Sequence, residues 1–324
     1  MTQQASRAAL VVGVLGALTC GAGIATQARI NGELATELRD GYTAAFYSFG
    51  SGLVVVLVAL IFRPAGRRGL AIIRDELRSG RMPWWYVVGG SAGAFFVLGQ
   101  GLAAPALGIA VFMIALVAGQ TLSGLIIDRV GLASTKPRQI TTGRVVGASL
   151  MLVAVVLVVS TQPLEAFPIW LVLMPLLAGI AMGWQQGVNG EVRVVSRSPL
   201  TATVINFIVG ATLLALAALV HALVAGIPEQ WPTNPLLYTG GAIGAVFIAL
   251  GAILAPRIGV LLLALGTISG QLLASLLLDL VVPAAGHPLV WTTIAGTALT
   301  LVALVIATWP RRADATGSTG ASPT

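Results

Sequence analysis

Unbroken apolar runs, each close to twenty residues long, recur along almost the whole chain and dominate what it can fold into. They fall near residues 8–30, 42–62, 84–103, 106–127, 143–160, 168–188, 200–224, 236–254, 258–278 and 290–309. An α-helix needs about twenty apolar residues to cross the hydrocarbon core of a bilayer. A membrane β-barrel would instead show shorter segments of alternating hydrophobicity. The sequence therefore predicts an all-α integral membrane protein with ten transmembrane helices.

The shortage of charge supports lipid as the solvent of this chain. Charged residues make up only 9% of the 324 residues and apolar residues 57%, whereas soluble domains are about one quarter charged. The net charge of +7 would suit a nucleic-acid partner in a soluble protein, but here the basic residues fall between apolar runs. We therefore expect membrane lipid and a small-molecule substrate as partners, no nucleic acid, and a monomer or homodimer.

Residue types that usually carry enzyme or metal chemistry are sparse. The sequence has one cysteine, Cys20, and two histidines, His221 and His287, which are isolated from each other. An intrachain disulfide is impossible, and the spacings typical of metal ligands or of a Cys/His nucleophile do not occur. We predict no catalytic residues, no metal, no cofactor and a function other than catalysis.

The distribution of arginine predicts the orientation of the chain. With a cytoplasmic amino terminus, every Lys and Arg except Arg29 and Arg39 falls on the cytoplasmic side. Loops rich in Lys and Arg remain on that side of the membrane. We therefore predict a multi-pass protein of the bacterial cytoplasmic (inner) membrane with both termini cytoplasmic. Residues 311–324, rich in Gly, Ser, Thr and Ala, are predicted to form a disordered cytoplasmic tail.

An internal duplication is the second strong feature of the sequence. The segment QARINGE at 27–33 aligns with QQGVNGE at 185–191, and GGSAGAFF at 89–96 aligns with GGAIGAVF at 240–247. Apolar composition alone would not place Gln, Asn and Glu in register. The sequence therefore contains two repeats of one five-helix unit.

Five spans per unit is an odd number, so the second unit must enter the membrane from the opposite side. The two halves are predicted to cover residues 1–160 and 161–310. The loops after helices two and four are rich in arginine in the first half, whereas their counterparts around 225–234 and 280–289 contain no Lys or Arg. We predict inverted repeats, related by a pseudo-twofold axis in the membrane plane.

Duplicated amide side chains are the leading candidates for a substrate pathway. Gln27 and Asn31 are four residues apart and share one helix face, and Gln185 and Asn189 repeat this arrangement. Polar groups in the bilayer core need a partner or a water-filled cavity. Amides both donate and accept hydrogen bonds, which suits a neutral or zwitterionic ligand. The alternative is that they hold helices together.

Four other residues are weaker candidates for the same pathway. Gln120 and Gln271 occupy aligned positions in the fourth predicted helix of each half. Trp184 and Asn206 lie near the duplicated motifs without being duplicated themselves, so they could make the site asymmetric.

Acidic residues could couple transport to a proton or a cation. Glu33 and Glu191 lie two residues beyond the asparagines, where a carboxylate at the mouth of a cavity could take up a proton. Asp128 and Asp279 end their predicted helices, and we interpret them as solvated charges at the membrane boundary.

Duplicated glycines and prolines are assigned to packing and helix initiation rather than to ligand binding. GGSAG at 89–93 and GGAIG at 240–244 have the small-xxx-small spacing that lets helices approach closely. Pro105 and Pro256 are expected to open the fourth helix of each half, where a missing N–H costs nothing.

Together these motifs resemble the YdcZ-like family of the drug/metabolite transporter (DMT) superfamily. The pattern AG…Q…NGE…TA…F…G, followed by PWW at 83–85, GG…GA, P.LG, GQ and a terminal Asp, carries the resemblance. It implies an EamA-like fold of ten helices, with a central cavity between the halves and alternating access. Small multidrug members of the superfamily depend on a glutamate deep in the first helix, whereas this chain has Gln27 and Gln185 in that region.

The leading hypothesis is a secondary transporter, more specifically an exporter, of a small polar or amphipathic metabolite. The first alternative is an exporter of cationic drugs, which would depend on Glu33 or Glu191. A membrane-embedded enzyme would need convergent acids, a His cluster or a Ser/His pair. A non-transporting membrane subunit of a complex is the remaining alternative.

Overall fold

The computed structural model describes residues 7–130, 141–160, 169–258, 260–283 and 290–308, and within them every regular element is helical. The α-helices are α1 (Arg7–Leu38), α2 (Gly41–Phe62), α3 (Pro64–Arg78), α4 (Gly90–Leu102), α5 (Ala104–Leu107), α6 (Ile109–Val130), α7 (Thr142–Ser160), α8 (Trp170–Ser196), α9 (Pro199–Ala225), α10 (Gly240–Ile258), α11 (Val260–Val281) and α12 (Trp291–Thr308). The predicted tail, 311–324, lies outside the described residues.

Eight helices of the described part are long and apolar enough to cross a membrane. They are α1, α2, α6, α7, α8, α9, α11 and α12. Helix α4 has 13 residues, and in α10 the apolar stretch is Gly240–Gly251. Large apolar side chains such as Phe62, Leu223 and Val224 are exposed, as expected where lipid rather than water covers the protein.

Helix α3 lies in a stretch that sequence patterning placed in an arginine-rich loop. Pro64 occupies its first turn, where the missing N–H costs no hydrogen bond. Gly66, Gly69 and Ile73 form its buried side, and the carbonyl of Gly66 accepts a hydrogen bond from Thr201 Oγ1 of α9 (3.1 Å). The helix is therefore amphipathic and covers one end of α9.

The chain between α4 and α6 departs from the predicted pair of unbroken spans. Residues Trp84–Tyr86 form a single 3-10 turn before α4, and Gly108, with φ of 78°, turns the chain between α5 and α6. The prediction that Pro105 opens a spanning helix is wrong, because it lies in the one-turn helix α5. Pro256 lies in the last turn of α10, so its predicted helix-opening role is wrong as well.

Helices α2 and α9 pack along each other in opposite directions. Tyr42 at the start of α2 stacks on His221 near the end of α9, with ring centroids 4.5 Å apart. Further along α2, the rings of Phe49 and Phe207 have centroids 4.9 Å apart. The order of these contacts is reversed in the two helices, as an antiparallel pair requires.

The contacts between α2 and α9 include the same kind of contact at two aligned positions. A Cβ at Gly210 would overlap the ring of Phe49, and a Cβ at Gly52 would overlap the ring of Phe207. Phe49 aligns with Phe207, and Gly52 aligns with Gly210, in the duplicated sequence. The same aromatic-on-glycine contact is therefore made twice, once by each half.

The α1–α11 and α6–α8 pairs also make equivalent contacts in the two halves, in this case between a glycine and the backbone of the facing helix. A Cβ on Gly21 of α1 would lie 2.9 Å from the backbone of Gly270 in α11. A Cβ on Gly179 of α8 would also lie 2.9 Å from the backbone of Gly119 in α6. Only glycine permits such close approach, which is how helices gain packing energy in a membrane.

Candidate functional site

A buried polar cluster forms where α1, α2 and α4 meet the start of α10. Asn31 Nδ2 donates a hydrogen bond to Gln100 Oε1 at 2.6 Å, and both side chains are fully buried. The oxygen of the Asn31 amide and the hydroxyl of Ser48 both lie against Gly240. We call Asn31, Ser48 and Gln100, with Gln27, the first-half cluster.

Gln27 extends this cluster by one turn along α1. Its side chain is 7% exposed, and its amide lies against Gly244, one turn into α10. The glycines of the GGAIG segment therefore leave room for the amides of α1. Their assignment to packing holds, but what they accommodate is the polar side chains of the predicted pathway.

The second half repeats the arrangement at the start of α4. A Cβ added at Gly89 would lie 3.2 Å from the amide oxygens of both Asn189 and Asn206. One added at Gly93 would lie 3.2 Å from Gln185 Nε2. We call Gln185, Asn189 and Asn206 the second-half cluster. The structure thus brings the predicted amides of each half onto the glycines of the other.

Several buried polar atoms of the described residues have no hydrogen-bond partner in the protein. They are Asn31 Oδ1, Ser48 Oγ, Gln100 Nε2, Gln185 Oε1, Gln271 Oε1 and Thr297 Oγ1. Leaving such an atom unpaired costs roughly 1–3 kcal/mol, and native proteins contain few of them. Four of the six belong to the two amide clusters, so the clusters have hydrogen-bonding capacity available for a ligand.

The two clusters differ in how well they are covered. A Cβ at Gly32 would lie 3.6 Å from the carbonyl oxygen of Gln100 and from the ring of Pro105, whereas at the aligned Gly190 it would meet no atom of the described residues within 4 Å. The position aligned with Gln100 is Gly251. Helices α4 and α5 therefore close over the first-half cluster, whereas no described residue covers Gly190 in the second half. The side chain of Pro256, which aligns with Pro105, lies outside what the structure describes.

The weaker candidates lie at other places in the helix packing. Gln271 is buried in α11, where its backbone N–H is near Gly21 of α1, and Gln120 takes the equivalent place in α6. Trp184 is half-buried in α8, adjacent in sequence to Gln185. Gln120 and Gln271 thus belong to the α6–α8 and α1–α11 contacts.

The glutamates of the two repeats have different surroundings. The side chain of Glu33 is 47% exposed and lies 3.7 Å from the guanidinium of Arg29. Glu191 is 9% exposed, in the second-to-last turn of α8. The duplicated carboxylates are therefore not equivalent in this conformation.

Asp279 corrects one interpretation of the sequence. It is 6% exposed, and its carboxylate accepts hydrogen bonds from the backbone N–H groups of Ile109 (3.1 Å) and Ala110 (2.7 Å). A carboxylate at a helix N-terminus satisfies free N–H groups and the helix dipole. The interpretation of Asp279 as a solvated boundary charge is therefore wrong, whereas the side chain of Asp128 lies outside what the structure describes.

Like Asp279, His221 makes a contact that the sequence analysis did not predict. Its Nε2 lies 3.6 Å from Asp40 Oδ1, and Asp40 also caps the start of α2 through the N–H groups of Tyr42 and Thr43. A cavity of about 360 Å³ adjoins this contact, with Glu229 in its lining. The contact between Asp40 and His221 could not be predicted, because the two residues are far apart in the sequence. The capping role of Asp40 could have been predicted, since Asp is a preferred residue immediately before a helix.

The comparisons with known proteins agree with this architecture. The apolar helices define a multi-pass transmembrane protein. A family model described as "Putative inner membrane exporter, YdcZ" matches residues 12–157 and 170–306. The chain therefore belongs to the YdcZ family of the drug/metabolite transporter superfamily, and the resemblance of its motifs to that family is confirmed. The protein is a multi-pass protein of the inner membrane.

A solved structure, titled only "Crystal structure of protein", resembles this one at 20% sequence identity. The similarity covers 94% of this chain and 98% of the other, with a TM-score of 0.53, and it shows a shared fold. A comparison with curated proteins finds no match.

Proposed function

We propose that the protein is a secondary transporter, acting as an exporter, for a small polar or amphipathic metabolite. The observation that carries the proposal is the pair of matched amide clusters at the starts of α4 and α10, buried except for the half-buried Asn189 and containing unpartnered polar atoms. Buried polar groups at the interface between repeats are typical of transporter binding sites. The family's description as an inner-membrane exporter supports the direction of transport.

The proposed architecture has ten spans in two oppositely inserted halves, residues 1–160 and 161–310. Helices α4 with α5, and α10, supply the two shorter spans. The matched contacts of Phe49 with Gly210 and of Phe207 with Gly52 support a pseudo-twofold axis between the halves. Inverted repeats allow alternating access, because each half can adopt the conformation of the other.

The proposed orientation places both termini in the cytoplasm. It is supported by the arginines of α3, which cluster at the end of α9 marked by the Gly66–Thr201 hydrogen bond. The Asp40–His221 contact marks the opposite end of α2 and α9, and the loop that follows α9 carries no Lys or Arg. Loops rich in arginine face the cytoplasm.

Export of cationic drugs receives less support than export of a polar metabolite. The exposed Glu33 is already paired with Arg29. The unpartnered atoms of the clusters belong to neutral amides and a hydroxyl. A desolvated cation needs a charged or well-placed partner, and the amide clusters provide no carboxylate.

The test is transport by the double variant Asn31→Ala with Asn189→Ala. Proteoliposomes are loaded with a cell metabolite extract, and mass spectrometry follows which compounds leave. We expect the wild type to release at least one metabolite about tenfold faster than the double variant, since one lost hydrogen bond in each half corresponds to about that factor or more.

The matched control is Thr203→Ala with Thr212→Ala. Thr203 is half-buried and Thr212 is exposed on α9, and their hydroxyls donate to carbonyls of their own helix. This pair should leave the rates of release unchanged. If the asparagine variant remains folded and releases every metabolite at the wild-type rate, the assignment of the site is wrong.

A further inference from the structure

We infer that the first-half cluster, together with Gln185, recognises an uncharged solute that carries hydroxyl or amide groups, and that Ser48 and Gln100 determine this specificity. The inference rests on the proposed transport function and narrows its substrate class. It begins from four polar atoms that the protein itself leaves unpaired: Asn31 Oδ1, Ser48 Oγ, Gln100 Nε2 and Gln185 Oε1.

The hydrogen-bonding roles of these atoms define what would complement them. The oxygens of Asn31 and Gln185 can only accept, and Gln100 Nε2 can only donate, whereas the Ser48 hydroxyl can do either. A matching ligand must therefore offer at least two donors and one acceptor. Hydroxyl groups and amides provide both functions within a few bonds of each other.

Three of the four side chains are linked to α4, and the fourth, Ser48, lies beside Asn31 at Gly240. Gln100 is part of α4, and Gly93 lies seven residues earlier, two turns away on the same face. Gln185 of α8 and the ring edge of Phe49 lie against Gly93, at 3.2 and 3.3 Å from the position of a Cβ there. Ser48 adjoins Phe49 in α2. The unpaired atoms thus come from α4 itself and from three helices, α1, α2 and α8, that pack against it.

Charged side chains of the described residues around the clusters are engaged elsewhere, which favours an uncharged ligand. Asp40 and Asp279 are used as caps for α2 and α6, and Glu33 is paired with Arg29. Glu191 lies six residues beyond Gln185, about 120° around α8. An ion or a zwitterion bound at the amides would lose hydration without meeting an opposite charge. A solute without charge avoids that cost.

Gln100 makes this recognition specific to the first half. Its aligned residue is Gly251, which has no side chain to offer, and Gln100 also fixes the amide of Asn31 through their 2.6 Å hydrogen bond. The Asn31 oxygen is thereby oriented away from Gln100 and towards Ser48 and Gly240. Gln100 is therefore both a ligand-contacting residue and a positioning residue for Asn31.

The experiment uses solutes that share a sugar ring and differ in charge. Proteoliposomes containing the full-length protein are offered glucose, N-acetylglucosamine, glucosamine and glucuronate at pH 6.5, with protein-free vesicles as the baseline. We expect one or both uncharged sugars to enter at least about fivefold faster than the charged ones. Faster entry of glucosamine or glucuronate would overturn the uncharged class.

Two null results have different meanings in this assay. If vesicles exchange metabolites from a cell extract but admit none of the four sugars, the assignment to hydroxyl- or amide-bearing solutes is wrong. If they exchange nothing at all, the proposed transport function fails rather than its substrate class.

Variants at Gln100 separate recognition from folding. Gln100→Leu should abolish the entry of the uncharged sugars, and the control Gln186→Leu, on the exposed side of α8, should leave it unchanged. Gln100→Glu retains an acceptor for Asn31 and adds a charge, so it should shift preference towards glucosamine by about tenfold. Unchanged charge preference in a folded Gln100→Glu variant would overturn the role of Gln100, even if Gln100→Leu fails to fold.

Discussion

Two glycines at the middle of the α2–α9 contact show how single residues control the approach of the two halves. Gly52 and Gly210 each leave room for a phenylalanine ring of the opposite helix. The rings of Phe49 and Phe207 also contact each other, and both are only 6% exposed. The four residues therefore form one packed unit, in which a change at one position affects the other three.

Replacing Gly210 by alanine should destabilise the protein. The added Cβ would overlap the ring of Phe49, and overpacking of this kind costs about 1–3 kcal/mol. The control is Gly50→Ala in α2, where a Cβ would meet no atom of the described residues within 4 Å. This substitution should be neutral or stabilising by up to about 1 kcal/mol. Thermal unfolding in detergent compares the two variants. Equal melting temperatures would contradict the proposed packing.

At the residue scale, sequence duplication pointed to polar residues that occur in both halves, but it gave no indication of polar residues that occur in only one. The aligned amides lie in the polar clusters of the two halves, Gln27 and Asn31 in the first and Gln185 and Asn189 in the second; their role in transport stays a prediction. Gln100 was missed because its aligned residue is Gly251, although a single glutamine inside a glycine-rich apolar run is itself a signal in a membrane segment. The hydrogen bond that joins Gln100 to Asn31 depends on tertiary packing, which no spacing in the sequence encodes.

At the scale of elements, hydrophobic periodicity located the long helices but not the interfacial ones. Helices such as α2 and α9 coincide closely with the predicted runs 42–62 and 200–224. Helix α3 was not predicted because arginines interrupt every long apolar window in it, while its buried side is small and consists largely of Gly66 and Gly69. Its helical form depends on packing against α8 and α9 rather than on its own hydropathy.

The fold at the C-terminal end of α3 should become less stable in acid. Arg81 holds Glu76 through two hydrogen bonds, Nε to Oε2 at 2.8 Å and Nη2 to Oε1 at 2.7 Å. These bonds lower the pKa of Glu76 below its usual value of 4.5. A carboxyl group whose pKa is lowered by folding stabilises the folded form above about pH 4.5, and this contribution is lost as the pH falls further.

Hydrogen exchange tests this contact at the C-terminal end of α3. The N–H groups of Arg81 and Met82 both donate to the carbonyl of Glu76. Their exchange, relative to intrinsic rates, should accelerate in the wild type as the pH falls below about 4.5. In Arg81→Gln it should already be fast at neutral pH and change little with acid. A wild-type profile that is flat across that range would contradict the role of the ion pair.

At the scale of the whole molecule, matched contacts coexist with one clear asymmetry. The two halves make the same aromatic and backbone contacts at aligned positions. Among the described residues, however, the amide motif is covered in the first half, by α4 and α5, and not in the second. Under the proposed inverted arrangement, the covered motif lies nearer the outer surface and the uncovered one nearer the cytoplasm. We therefore interpret this conformation as closed on the outside and accessible from the cytoplasm, as one of the two states of alternating access.

Cysteine labelling tests both the asymmetry and the inverted arrangement in one set of variants. The only cysteine, Cys20, is buried, and its replacement by alanine provides the background. With a membrane-impermeant maleimide, Gly190→Cys should react from the cytoplasmic side, because Gly190 is exposed and no atom of the described residues lies within 4 Å of its Cβ position. Gly32→Cys, covered by α4 and α5, should react slowly from either side.

The exposed positions Ala71→Cys and Glu229→Cys should react from the cytoplasmic and outer sides respectively. Equal labelling of Gly32→Cys and Gly190→Cys would refute the cytoplasm-accessible conformation, and labelling of Ala71→Cys and Glu229→Cys from one side would refute the inverted halves.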